Sequence, residues 1–131
     1  MKELILLIES EWLLRSNCFK LLEREKFNII STTNGFIGLA LAKEFQPDLI
    51  ICDTNTLHLD GYRVKKIRDK LATFKIPCIF LTAETEMGSY YYYVQQLSGN
   101  DYLTKPIQSD KLLAAISRQL NKTQNQEVDI V

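Results

Sequence analysis

Two kinds of apolar pattern alternate along the chain. Solid runs occur at Leu4-Ile5-Leu6-Leu7-Ile8, Leu49-Ile50-Ile51-Cys52 and Cys78-Ile79-Phe80-Leu81. Short runs of this kind, bounded by polar residues, predict strands buried on both faces, as in a parallel sheet. Phe27-Asn28-Ile29-Ile30 and Tyr102-Leu103-Thr104 are weaker members of the same set. Between the runs the spacing turns helical. Leu14, Cys18, Leu21 and Leu22 form one stripe, and Ile37, Leu41 and Phe45 a second. Val64, Ile67 and Leu71 form a third, and Leu112, Leu113, Ile116 and Leu120 the last. Asn34-Gly35 opens the second helix, Pro47 separates it from the third strand, and Asp60-Gly61 opens the third helix. Pro77 is compatible only with the start of its strand, where no ladder donor is needed. The order is five βα units. Right-handed crossovers then give an α/β, doubly wound, five-stranded parallel sheet with helices on both faces.

Composition narrows this picture. The 131 residues, 46% hydrophobic and 24% charged, suit one compact domain, expected over 1–121, with a polar tail or trimmed junction at 122–131. Sixteen basic residues balance 16 acidic ones, so no broad attraction to nucleic acid is expected. That neutrality is the sum of an acidic pocket and basic stretches such as Arg63 to Arg68. The Leu4–Ile8 run is too short to span a membrane and lacks a signal-peptide cleavage pattern. Three cysteines, odd in number and in no metal-ligand spacing, read as small apolar residues of a reduced, cytoplasmic chain.

Ligands of a doubly wound sheet bind beyond the carboxyl ends of its strands, at the switch in strand order. There the first strand ends in Glu9-Ser10-Glu11, the third in Asp53, the fourth in Thr82-Ala83, and Lys105-Pro106 follows the fifth. Carboxylates, a hydroxyl and an ammonium thus converge from four separate segments. No glycine-rich phosphate loop follows the first strand, which argues against a nucleotide or flavin binder.

Over roughly residues 3 to 121 the sequence resembles the receiver domain of bacterial two-component response regulators, a flavodoxin-like (βα)5 fold. PDLIICDTNTLHLDGYRVKKIR carries the likeness most closely, and NGFIGLALAKEF, IPCIFLTAE and NDYLTKPI fall in family order around it. The resemblance implies that Asp53 accepts a phosphoryl group from a phosphohistidine of a sensor kinase or histidine phosphotransfer protein. It implies Mg²⁺ held by Glu9, Asp53 and the backbone carbonyl of Asn55. Thr82 would bind a phosphoryl oxygen, Lys105 would neutralise it, and the Lys105-Pro106 bond would be cis. Tyr102 would be the aromatic whose inward rotation reports phosphorylation. Such a domain signals rather than turning over a substrate, and passes its state on by docking. A carboxylate attacking an anionic phosphoryl group meets repulsion, so positioning and charge neutralisation dominate the chemistry.

The main departure is Ser10, where the family has a second acid. Losing one negative charge beside a divalent cation costs about 1–4 kcal/mol, or about tenfold to a thousandfold in affinity. Glu11 reaching back through a water, or Glu9 and Asp53 sufficing, would offset this; the plainer expectation is a solvated first-turn acid at Glu11. Ser10 also motivates a rival reading, a degenerate receiver acting as a phosphorylation-independent interaction module. Leu57, where the family has Pro, is expected to loosen its loop. His58 reads as a solvated loop residue, Cys52 as core on the face away from the site, and Trp12 as packed at the start of the first helix. Tyr90, Tyr91, Tyr92 and Tyr93 sweep about 300° of a helix, so some must be exposed. The resemblance makes the fourth helix, fifth strand and fifth helix an output face, for a downstream protein or a second copy.

Overall fold

The computed structural model describes residues 2–53, 75–83 and 101–129. Five parallel strands are present: β1 (Leu4–Ile8), β2 (Asn28–Thr32), β3 (Leu49–Asp53), β4 (Cys78–Thr82) and β5 (Asp101–Thr104). Their order is β2-β1-β3-β4-β5. The chain therefore leaves β1 to one side for β2 and returns across it to β3, which makes the carboxyl ends of β1 and β3 the switch point. Every residue of β3 and β4 is buried, as their unbroken apolar runs require.

Helices cover both faces. Helix α1 (Trp12–Arg24) and the C-terminal helix (Ser109–Asp129) share one core layer, in which Cys18, Leu22, Leu112 and Ile116 meet Ile5, Leu7, Ile51 and Leu81. Helix α2 (Gly35–Phe45) covers the other, where Ala42 joins Leu6, Ile8, Cys52, Cys78 and Phe80. Cys52 is thus core, on the face predicted. None of the three cysteines forms a disulfide, all are buried, and burial raises each pKa, Cys18 to about 11.

Local chemistry explains the boundaries. Asn34 caps α2, its side chain accepting from the backbone N–H groups of Phe36 (2.8 Å) and Ile37 (3.0 Å). Gln46, left-handed at φ 47°, ends α2 just before Pro47. Pro77 stands one residue before β4 and gives only its carbonyl to the ladder, accepting from Ile50 N–H at 3.0 Å. The Asp101 carboxylate accepts from Arg118 (3.1 Å) and from the buried Gln119 (2.8 Å), tying the C-terminal helix to β5.

Two expectations are corrected. The buried side of α2 is Gly35, Gly38 and Ala42, whereas Ile37 and Phe45 are exposed. Apolar residues occupy most of that helix, so spacing did not define its inner face; the small residues do, by letting it approach the sheet. Trp12 is 70% exposed rather than packed, because it is the first residue of α1 and lies beyond the layer that Cys18 and Leu22 enter. The C-terminal helix runs through Asp129, since extending a formed helix is far easier than starting one. The third and fourth predicted helices, Asn55, Leu57, His58 and Tyr90 to Tyr93 lie outside the described residues.

Candidate functional site

Four strand ends meet at one edge of the sheet. Glu9 directly follows β1, and its N–H donates to the Thr32 carbonyl (3.1 Å), continuing the β1–β2 ladder. Asp53 and Thr82 are the last residues of β3 and β4, and both are buried. Lys105 directly follows β5; its N–H donates to the Thr82 carbonyl (2.8 Å), which sets the root of its side chain beside β4. The Lys105-Pro106 bond is cis, as the resemblance implied.

The side chains form a charged cluster. Lys105 Nζ lies 3.2 Å from Glu9 Oε1 and 3.2 Å from Asp53 Oδ1, with Glu11 Oε2 at 3.9 Å. Ser10 Oγ donates a long hydrogen bond, 3.5 Å, to Asp53 Oδ2. The Thr82 hydroxyl donates to the Ala83 carbonyl at 3.5 Å. The structure thus brings together Glu9, Ser10, Asp53, Thr82 and Lys105 of the residues singled out. Tyr102 is half-buried and packs on the α2 side of the sheet.

Sequence reasoning missed Arg15. Its guanidinium donates to the carbonyls of Glu9 (3.1 Å) and Ser10 (3.5 Å) and so holds the turn that carries both. The available signal was an arginine four residues after Glu11, one helical turn on and facing the same end of α1.

Burial places an uneven load on these charges. Glu9 has no exposed surface, and its pKa is pushed up to about 7, first by desolvation and then by its hydrogen bond to Asp53 and that carboxylate's charge. The Glu11 N–H (3.2 Å to Oε2) and Lys105 pull the other way without prevailing. Burial opposes the Lys105 charge, but Asp53 and Glu9 outweigh it and raise the lysine's pKa.

The donor set suits a hard divalent cation. Glu9 Oε1 is buried, and its charge partner among the described residues is the Lys105 ammonium at 3.2 Å. Once Glu9 is ionised, two carboxylates against one lysine leave net negative charge in this pocket. Among the described residues no three His, Cys, Asp or Glu side chains converge as a metal site. Mg²⁺, which keeps several waters and takes one or two carboxylates, is the cation that such a sparse set fits.

Comparison with known proteins places this fold in one family. The chain belongs to the response regulator receiver domain family, whose model matches residues 5–117; it is a receiver domain of two-component signalling with the flavodoxin-like fold. It is 33% identical over 105 residues to the DNA-binding dual master transcriptional regulator RpaA of Synechocystis, covering 78% of this chain and 42% of that protein. It is 28% identical over 129 residues to the cell cycle response regulator CtrA of Brucella ovis, covering 97% of this chain and 54% of that protein. The chain therefore spans about half the length of these relatives. In fold it matches the receiver domain of the sensor histidine kinase PA1611 from Pseudomonas aeruginosa, a structure with a magnesium ion coordinated in its active-site cleft. That match has a TM-score of 0.77 at 24% identity, over 92% of this chain and 99% of that one. No helix among the described residues is long and apolar enough to cross a membrane.

Proposed function

We propose that this chain relays a signal by accepting a phosphoryl group on Asp53 from a phosphohistidine of a sensor kinase or histidine phosphotransfer protein. The observation that carries this reading is the Lys105 ammonium, 3.2 Å from both Asp53 and Glu9 at the carboxyl edge of the sheet. An Asp53 oxygen attacks phosphorus; the O–P bond forms, the N–P bond breaks, and the imidazole leaves with the electron pair and is protonated from solvent. Lys105 offsets the charge gathering on the phosphoryl oxygens, and Thr82, at the end of the neighbouring strand, offers its hydroxyl to one of them. Bound Mg²⁺, held by Glu9, Asp53 and the Asn55 carbonyl, would neutralise further charge on those oxygens. Arg15 keeps the Glu9 turn in place during these events.

The relatives are regulators, and this chain is read as a signalling domain, not a turnover enzyme. Its phosphorylated state is passed on by docking to a downstream protein or a second copy through the fourth helix, fifth strand and fifth helix. The buried cysteines, none in a disulfide, favour the cytoplasm as its place of work. Phosphoramidate, a small N–P donor, supplied with Mg²⁺ should add the mass of one phosphoryl group, and Asp53→Ala should abolish the addition. No mass increase in the native chain would leave the phosphorylation-independent interaction module as the better reading.

A further inference from the structure

We propose that Glu11 is a positioning residue for Lys105, the acceptor that draws the ammonium out of the carboxylate pair when a divalent cation enters. This deepens the proposed function and rests on its reading of the site as a Mg²⁺ site. Glu11 occupies the N-cap of α1, yet its side chain makes no capping hydrogen bond and is not spent on the helix end. One of its oxygens instead lies 3.9 Å from Lys105 Nζ. The ammonium sits between Glu9 and Asp53, at 3.2 Å from each, and so competes with a divalent cation for those two buried carboxylates. A cation taking up those same two oxygens would displace the ammonium from between them, and the lysine would then need another acceptor close by.

The direction of withdrawal follows from exposure. Glu9 and Asp53 are at 0% and 1%, Lys105 at 18% and Glu11 at 61%, so Glu11 stands at the mouth and the carboxylate pair at the floor. A lysine stem with four rotatable bonds can swing outward and keep a charge partner throughout. The neutral Ser10 sharpens the need, because the entering cation meets only two carboxylates and must compete with the ammonium for both. The acid absent at position 10 is present at position 11 in a different role: it attracts the lysine and not the metal.

The test is Mg²⁺ titration of the full chain, read by calorimetry and by fluorescence of Trp12, the single tryptophan, which adjoins Glu11. Glu11→Gln should weaken Mg²⁺ binding about three- to tenfold, while Glu11→Asp stays within about twofold of the native chain. Ser10→Asp should tighten binding about tenfold or more. Lys105→Met should tighten it as well, and in that background Glu11→Gln should change affinity by less than about twofold, because no ammonium remains to be moved. An unchanged affinity for Glu11→Gln, or an equal loss in both backgrounds, overturns the inference while the Mg²⁺ site stands. Absence of Mg²⁺ binding in both the native chain and Ser10→Asp overturns the site reading and this inference together.

Discussion

Glu9 concentrates the electrostatic tension of the site in one side chain. Its pKa is about 7 in the fold against an ordinary 4.5. Between those values an unfolded Glu9 is ionised while the folded one keeps its proton. Its contribution to stability is therefore full below pH 4.5 and is lost as pH rises through about 7. A cation binding the carboxylate has the opposite dependence, because it competes with that proton. Mg²⁺ should accordingly bind more tightly at pH 8 than at pH 6. Saturating Mg²⁺ should also raise the melting temperature more at pH 8, a comparison thermal unfolding reads directly. An equal or larger shift at pH 6 would show that Glu9 is not the titrating ligand. At this scale most of the site was legible: Glu9, Asp53, Thr82 and Lys105 each follow or end a strand visible as an apolar run. Arg15 and the approach of Glu11 to Lys105 were not, because they depend on where two backbone carbonyls and one flexible side chain lie in space.

Among the elements, α2 is where packing overrides pattern. A Cβ added at Gly38 would run into Ile8 Cδ1 and Cγ1, and Ile8 is 2% exposed in a filled core. On helix propensity alone, Gly38→Ala would stabilise by up to about 1 kcal/mol. Overpacking costs about 1–3 kcal/mol, so the variant should instead be less stable, as urea unfolding would measure. Because Ile8 directly precedes Glu9, the displaced strand end should also loosen Mg²⁺ binding. A stabilised Gly38→Ala would mean that Ile8 gives way freely. The strands and the cap at Asn34 could be read from sequence, since solid apolar runs and Asn-Gly punctuation have local causes. The inner face of α2 could not, because a helix with apolar residues nearly all round has no stripe to read, and glycines admit close approach without announcing it.

Taken as a whole, the chain is a two-faced parallel sheet whose formal neutrality conceals a local imbalance. Among the described residues, Glu9, Glu11 and Asp53 all lie within ion-pair distance of the Lys105 ammonium, and that gathering of carboxylates is what would attract a divalent cation, which would in turn offset the charge of an incoming phosphoryl group. Trp12 and Leu13, 70% and 57% exposed at the start of α1, leave apolar surface beside Glu11. The central claim is that Asp53 carries the phosphoryl group, and borohydride trapping tests it most directly. Borohydride reduces an aspartyl phosphate to homoserine while leaving a free carboxylate alone. After incubation with phosphoramidate and Mg²⁺, peptide mass mapping should find homoserine at position 53 and no conversion at any other acid. Conversion elsewhere, or none at all in a chain shown to bind Mg²⁺, would contradict the account.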